Sequence, residues 1–221
     1  MTRVIAILMI GALFLGIGIG GCTTTAAIPS PYANHTIVPP VLHVDSEDQT
    51  GSAVPIAQNG DILWLLTVRH LLFPQTVGGF QVLDVERHPT LDLALLKVKG
   101  TSPLIPMTDR IPRAGERLRA IGWNIDKCLA MTDGRARAHD GFLGPEFSCM
   151  TCPILFGASG GAVLNDDGEL VGIIKGLLSW KFHHELSTAG TTLPVPWLSY
   201  YLPIGQARDW IAHVTKEEGE G

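Results

Sequence analysis

The sequence predicts an all-β fold, a barrel or sandwich closed by one C-terminal helix. Three observations carry that prediction. From Pro40 onward, short β-rich runs alternate with breaks of Gly, Pro, Asn and Asp. Two of the breaks, Gln58-Asn59-Gly60-Asp61 and Asn165-Asp166-Asp167-Gly168, are hairpin turns between apolar runs. A convincing helical repeat of apolar residues occurs only near the C-terminus.

The elements follow in order. Residues 1–21 carry one charge, Arg3, and run apolar from Val4 to Ile19 before Gly20-Gly21-Cys22. That is the pattern of a signal peptide. Small residues directly before a cysteine resemble a bacterial lipobox, which implies cleavage before Cys22 and lipid on its thiol. The alternative is an uncleaved anchor, because the apolar run falls only slightly short of a span. Either way the remainder is expected to be exported and tethered. Residues 22–40, rich in Thr, Ala, Pro and Ser, suit a flexible stalk.

The domain proper is expected over residues 41–215. Strands are predicted at Ser52 to Ala57 and Ile62 to Val68, around the first hairpin turn, then at Phe80 to Val85 and Leu91 to Val98. Glu116 to Gly122 follows Pro112 and Gly115. Ala162 to Leu164 and Glu169 to Ile174 flank the second hairpin turn, and Leu198 to Leu202 completes the set. Ser179 to Trp197, with His183-His184, reads as a surface loop. Ile204, Ala207, Ile211 and Val214 recur at helical spacing just after Pro203, where proline is tolerated. Residues 216–221 are charged and Gly-rich and are expected to fray.

Charge and cysteines narrow the function. Without Arg3 the chain has 15 basic and 21 acidic residues, a net charge of −6. No basic run is present, so nucleic acid is not expected as a partner. Beyond Cys22 stand Cys128, Cys149 and Cys152. In an exported domain a disulfide from Cys128 to Cys149 or Cys152 is plausible. Cys149-x-x-Cys152 has no second C-x-x-C, and His183-His184 has no matching acid or cysteine pair around it. No metal or cofactor is therefore expected.

The chemistry centres on Gly157-Ala158-Ser159-Gly160-Gly161. Alone, these residues fit either a serine-peptidase nucleophile loop or the G-x-S-x-G elbow of α/β-hydrolases. A serine hydroxyl needs a base, a group that orients the base, and donors for the developing oxyanion. His70 ends an apolar strand, and Asp92 opens Asp92-Leu93-Ala94-Leu95-Leu96. The order is thus His, Asp, Ser, whereas the α/β-hydrolase order is Ser, acid, His with a helix after the serine. Here a strand, a turn and a strand follow Ser159, with only 62 residues left. The elbow reading fails. Asp84 competes with Asp92 for the acid but lacks its apolar context.

Leu66-Thr67-Val68-Arg69-His70 resembles the L-T-A-A-H motif of trypsin-like serine peptidases. His88-Pro89-Thr90-Leu91-Asp92-Leu93-Ala94-Leu95-Leu96 is similar to their H-P-x-x-D-I-A-L-L segment, and Gly157 to Gly161 to G-D-S-G-G or G-N-S-G-G. Ala114 to Gly122 and Ser199 to Ile204 are similar to segments of the bacterial HtrA-type branch. The resemblance runs from about Gly51 to Val214. It implies two six-stranded antiparallel β-barrels with the site in the cleft, the second beginning near residue 110. It also implies Ser159 as nucleophile, His70 as general base, Asp92 as its orienting acid, and the backbone N–H groups of Gly157 and Ser159 as the oxyanion hole. Peptides or proteins would be the substrates.

The sequence departs from the family pattern at several places. Ala158 stands where digestive trypsins have the Asp that pairs with a new N-terminus. Pro153, six residues before Ser159, is not the acid of a Lys/Arg-selective site. Arg69 is unusual beside the histidine and is expected to point away from the site. Lys175 ends a strand whose family counterpart lines the substrate groove. It either meets an acidic substrate side chain or, the ordinary place for lysine, faces solvent. The PDZ-like domain of the HtrA-type branch is not expected after the helix. The expected function is a membrane-tethered, exported serine endopeptidase. The alternatives are a non-catalytic binding module on the same fold and an esterase-like hydrolase using the same three residues.

Overall fold

The computed structural model describes residues 39–46, 49–71, 73–138, 145–182 and 191–216. The leader, Cys22, most of the stalk, His183-His184 and residues 217–221 lie outside them. The described chain is built of twelve strands and one helical end. The first barrel holds β1 (Leu42–Asp45), β2 (Thr50–Asn59), β3 (Ile62–Thr67), β4 (Thr76–Val77), β5 (Phe80–Arg87) and β6 (Ala94–Lys99). The second holds β7 (Arg117–Trp123), β8 (Leu129–Arg135), β9 (Ser148–Met150), β10 (Ala162–Leu164), β11 (Leu170–Phe182) and β12 (Thr191–Pro203). A 3-10 turn, Ile204–Ala207, leads into α1, Arg208–Lys216.

Every strand pairing within these sheets is antiparallel, in the orders β1-β2-β3-β6-β5-β4 and β8-β7-β10-β11-β12-β9. Hydrogen bonds join the ends of each order. Gly78 N–H donates to the His43 carbonyl at 3.0 Å, bringing the β4 end to β1. Arg137 N–H donates to Cys149, and Thr151 N–H to Arg135, both at 2.9 Å, bringing the β8 end to β9. Closure leaves few open edges. The expected pair of six-stranded barrels with a C-terminal helix is therefore the observed architecture.

Local chemistry explains several elements. Gly60, at φ 59°, supplies the left-handed position of the β2–β3 turn. Pro55 sits inside β2, where a proline lacks its N–H. It falls beyond the stretch paired to β1, which ends at Ala53, and beside a register shift between Pro55 and Ala57. The apolar residues of β3 and β6 are buried on both faces, as Leu63 to Leu66, Leu95 and Leu96 show. One core joins these residues to Ile121, Leu164, Leu170 and Ile173 of the second barrel and to Ile204, Ala207 and Ile211 of the helical end. A smaller core fills the second barrel around Leu118, Met150, Val171, Ile174 and Tyr201.

Three expectations are corrected. Leu91 and Asp92 lie in a bend before β6 rather than within a strand. The segment read as a surface loop from Ser179 is in part a strand pair. Ser179 to Phe182 pair with Pro194 back to Thr191, extending β11 and β12. Cys128, Cys149 and Cys152 are present as thiols, so the anticipated disulfide is not formed. The buried Cys152 thiol donates to the Leu118 carbonyl at 3.5 Å, and burial pushes its pKa up to about 12. It is a packing residue rather than a reactive one. Among the described residues, no cluster of three or more His, Cys, Asp or Glu could hold a metal ion.

Candidate active site

His70 follows β3 in a short turn, and Asp92 sits in the bend that enters β6. The pairing of β3 with β6, with Thr67 opposite Ala94, brings the two together. His70 N–H donates to Asp92 Oδ1 at 2.9 Å, and His70 Nδ1 lies 2.7 Å from Asp92 Oδ2. One carboxylate thus grips both the backbone and the ring of the histidine. The Asp92 turn is itself braced by His88, whose Nδ1 accepts the N–H groups of Leu91 at 2.9 Å and Thr90 at 3.2 Å. The His88 ring packs edge-on against Trp210 of α1, with centroids 4.9 Å apart. Asp84 is not brought to this place. It is exposed on β5, opposite Lys97, and accepts the N–H of its neighbour Val85.

Ser159 comes from the second barrel, in the loop between β9 and β10. Gly157 and Gly160 have φ values of 95° and 84°, a region most side chains avoid. Space forbids a side chain at either. A Cβ on Gly157 would fall 2.8 Å from the backbone of Asn124 and Ile125, and one on Gly160 would fall 2.0 Å from the Ser52 carbonyl oxygen. Ala158 is buried in the smaller core. An ionised Asp at that place would need a buried partner.

Ser52 was not anticipated as part of the site. It is fully buried on β2 of the first barrel, and three groups meet on it. Its N–H donates to the Ser159 carbonyl at 2.8 Å, its Oγ accepts the Trp123 N–H at 2.8 Å, and its carbonyl accepts the Thr67 hydroxyl at 2.7 Å. These bonds fasten the Ser159 loop and β7 to the first barrel. A lone serine in an apolar strand gives no sequence signal for such a role.

Lys175, expected to face solvent, instead enters the site. Its ammonium pairs with Asp92 Oδ2 and lies 3.0 Å from His70 Nδ1. The reason is register: β11 hydrogen-bonds to the Ser159 loop, with Gly160 N–H donating to Ile174 at 2.8 Å. That places residue 175 beside the nucleophile loop. The Lys175 carbonyl accepts the Ser159 hydroxyl proton at 3.1 Å. The Ser159 hydroxyl is therefore turned toward the Lys175 backbone in this state. Burial, reinforced by the Lys175 charge, pushes the His70 imidazole down to about 4. Burial and the Arg69 charge lower the Lys175 ammonium as well. Arg69 turns to the neighbouring bend, where its guanidinium donates to the His88 carbonyl at 3.1 Å.

The sequence profile of the trypsin-like peptidase domain matches residues 51–173, more than half of the chain. The chain belongs to the trypsin-like peptidase family. The peptidase fold is also that of solved structures. A serine endoprotease from Yersinia pestis is 22% identical over 80% of this chain, with a TM-score of 0.58, and this chain spans 62% of it. An inactive-form serine-to-alanine mutant of a Mycobacterium tuberculosis protein is 17% identical over 82% of this chain and 89% of its own, at a TM-score of 0.57. Kallikrein-related peptidase 10, solved in complex with Zn2+, is 15% identical over 80% of this chain and 96% of its own, at 0.61. At these identities the likeness is one of fold. No curated protein matches the sequence. Family membership puts the domain in the class of serine endopeptidases, which are hydrolases.

Proposed function

We propose that the protein is an exported, membrane-tethered serine endopeptidase that uses His70, Asp92 and Ser159. The observation that supports this most is their convergence on Lys175, a residue of the second barrel. Lys175 accepts the Ser159 hydroxyl through its carbonyl, while its ammonium touches the His70–Asp92 pair. For the reaction, the Ser159 proton leaves the Lys175 carbonyl and passes to His70 Nε2 as Oγ adds to the scissile carbonyl carbon. The backbone N–H groups of Gly157 and Ser159 receive the oxyanion. His70 then returns the proton to the leaving amine, and an acyl-Ser159 ester remains for water to cleave. Asp92 holds His70 by one bond to its backbone N–H and one to ring Nδ1, so that Nε2 is free to act.

An extended peptide is the substrate that suits the cleft. Among the described residues β10 pairs with β11 only as far as Ile173, and β11 runs on beyond it. That outer edge can take an added strand. Export and tethering are supported by the leader and by Cys22, whose lipid would hold the domain at a membrane surface. A second reading, a binding module, draws on the Ser159 hydroxyl being engaged by the Lys175 carbonyl.

Fluorophosphonate labelling of the folded chain tests the enzyme reading. Wild type is expected to be labelled and Ser159→Ala not at all; a folded but unlabelled wild type supports the binding module. Casein cleavage against small-ester turnover separates peptidase from esterase. Cys22→Ala is expected to abolish incorporation of a lipid label, and continued incorporation would count against lipidation at Cys22.

A further inference from the structure

We propose that Lys175 is a positioning residue that takes a share of the Asp92 carboxylate from His70 and thereby sets the pH range in which the site works. The proposal rests on the reading of His70, Asp92 and Ser159 given above. Its basis is geometric. Asp92 Oδ1 is already occupied by the His70 N–H, so the ring and the lysine meet at the remaining oxygen, Oδ2. The Asp92 and Lys175 side chains are only 16% and 21% exposed, so solvent screens the contact little. The lysine is held from both ends. Its backbone is fixed by β11 and by the Ser159 hydroxyl, and its ammonium by the pair itself.

The charged and titratable groups around His70 come from four places. They are Arg69 at the end of β3, His88 in the turn after β5, Asp92 before β6 and Lys175 on β11. Of the two cations, Lys175 pairs with the Asp92 carboxylate, while the Arg69 guanidinium is turned to the His88 carbonyl. In a site where Asp92 served His70 alone, its charge would favour the imidazolium. Here Lys175 offsets that charge. Burial and the ammonium together keep the ring unprotonated down to about pH 4. Two consequences follow with opposite signs. The base stays available in acid, where an ordinary histidine is protonated. At neutral pH it is a weaker base, and proton transfer from Ser159 is slower, because rate follows base strength.

Lys175→Met keeps the length and removes the charge. Histidine-labelled NMR on the full-length chain would follow the His70 ring, assigned as the signal lost in His70→Gln. The His70 titration is expected to rise by roughly one pH unit in Lys175→Met and to stay near the wild-type value in Lys175→Arg. The acid limb of the fluorophosphonate labelling rate should move with it, and the neutral plateau should rise by about tenfold. A His70 titration that is the same in wild type and Lys175→Met overturns the proposal, even if Ser159 is labelled. So does a labelling rate that falls equally at every pH, the mark of a merely structural lysine. A titration that shifts in a wild type that is never labelled overturns the underlying catalytic reading instead. If Lys175→Met does not fold, Lys175→Gln gives the same comparison.

Discussion

Gly160 shows how tightly single residues are specified around Ser159. Its φ of 84° and the Ser52 carbonyl 2.0 Å from any added Cβ leave no room for a side chain. Gly160→Ala is expected to cost about 2 kcal/mol or more, seen as a fall in Tm, and to slow fluorophosphonate labelling by misplacing Ser159. An unchanged Tm would mean that the loop and β2 can part without loss. Glycine at 157 and 160 was legible, because the Gly157 to Gly161 motif demands it. Lys175 was not. A lysine at a strand end is exposed in most proteins, and nothing near it in sequence names its partners. The same holds for Ser52, whose partners Trp123 and Ser159 lie far along the chain.

Among the elements, the turn between β5 and β6 carries the most function per residue. It presents Asp92, and His88 shapes it by accepting two of its N–H groups. His88→Ala leaves those donors without their acceptor, at a cost of about 1 kcal/mol each where water cannot replace it. A larger effect is expected on the labelling rate, since Asp92 would lose its fixed approach to His70. A rate equal to wild type would show that the turn holds its shape without His88. The longer strands were readable from apolar runs and turn residues. β4 and β9, two and three residues long, carry too little pattern to read. β8, Leu-Ala-Met-Thr-Asp-Gly-Arg, has no apolar face and contains Gly134 and Asp133, which favour turns in isolation. It is a strand because β7 pairs with it along its whole length. The arms of β11 and β12 past Ser179 are likewise strands by mutual pairing rather than by composition.

At the scale of the molecule, the two barrels share a core and a set of buried hydrogen bonds. The larger apolar cluster runs from Val54 and Leu66 through Ile121 and Ile173 to Ile211 on α1. Ser52 adds polar links between the barrels. Residues 39–216 should therefore unfold in one transition, with far-UV and tryptophan signals coincident. Two separated transitions would show that the barrels are independently stable. What the sequence determined alone was local: strand and turn periodicity, the helical end, and the His-Asp-Ser order with its flanking motifs. Those depend on neighbours a few residues apart and survive in a linear reading. Tertiary structure decided which groups share a carboxylate, where the Ser159 proton rests, and that Lys175 stands in the site. Lys175 and His70 are 105 residues apart. They meet because strand register and barrel docking bring them together, and both are set by the packing of the whole core.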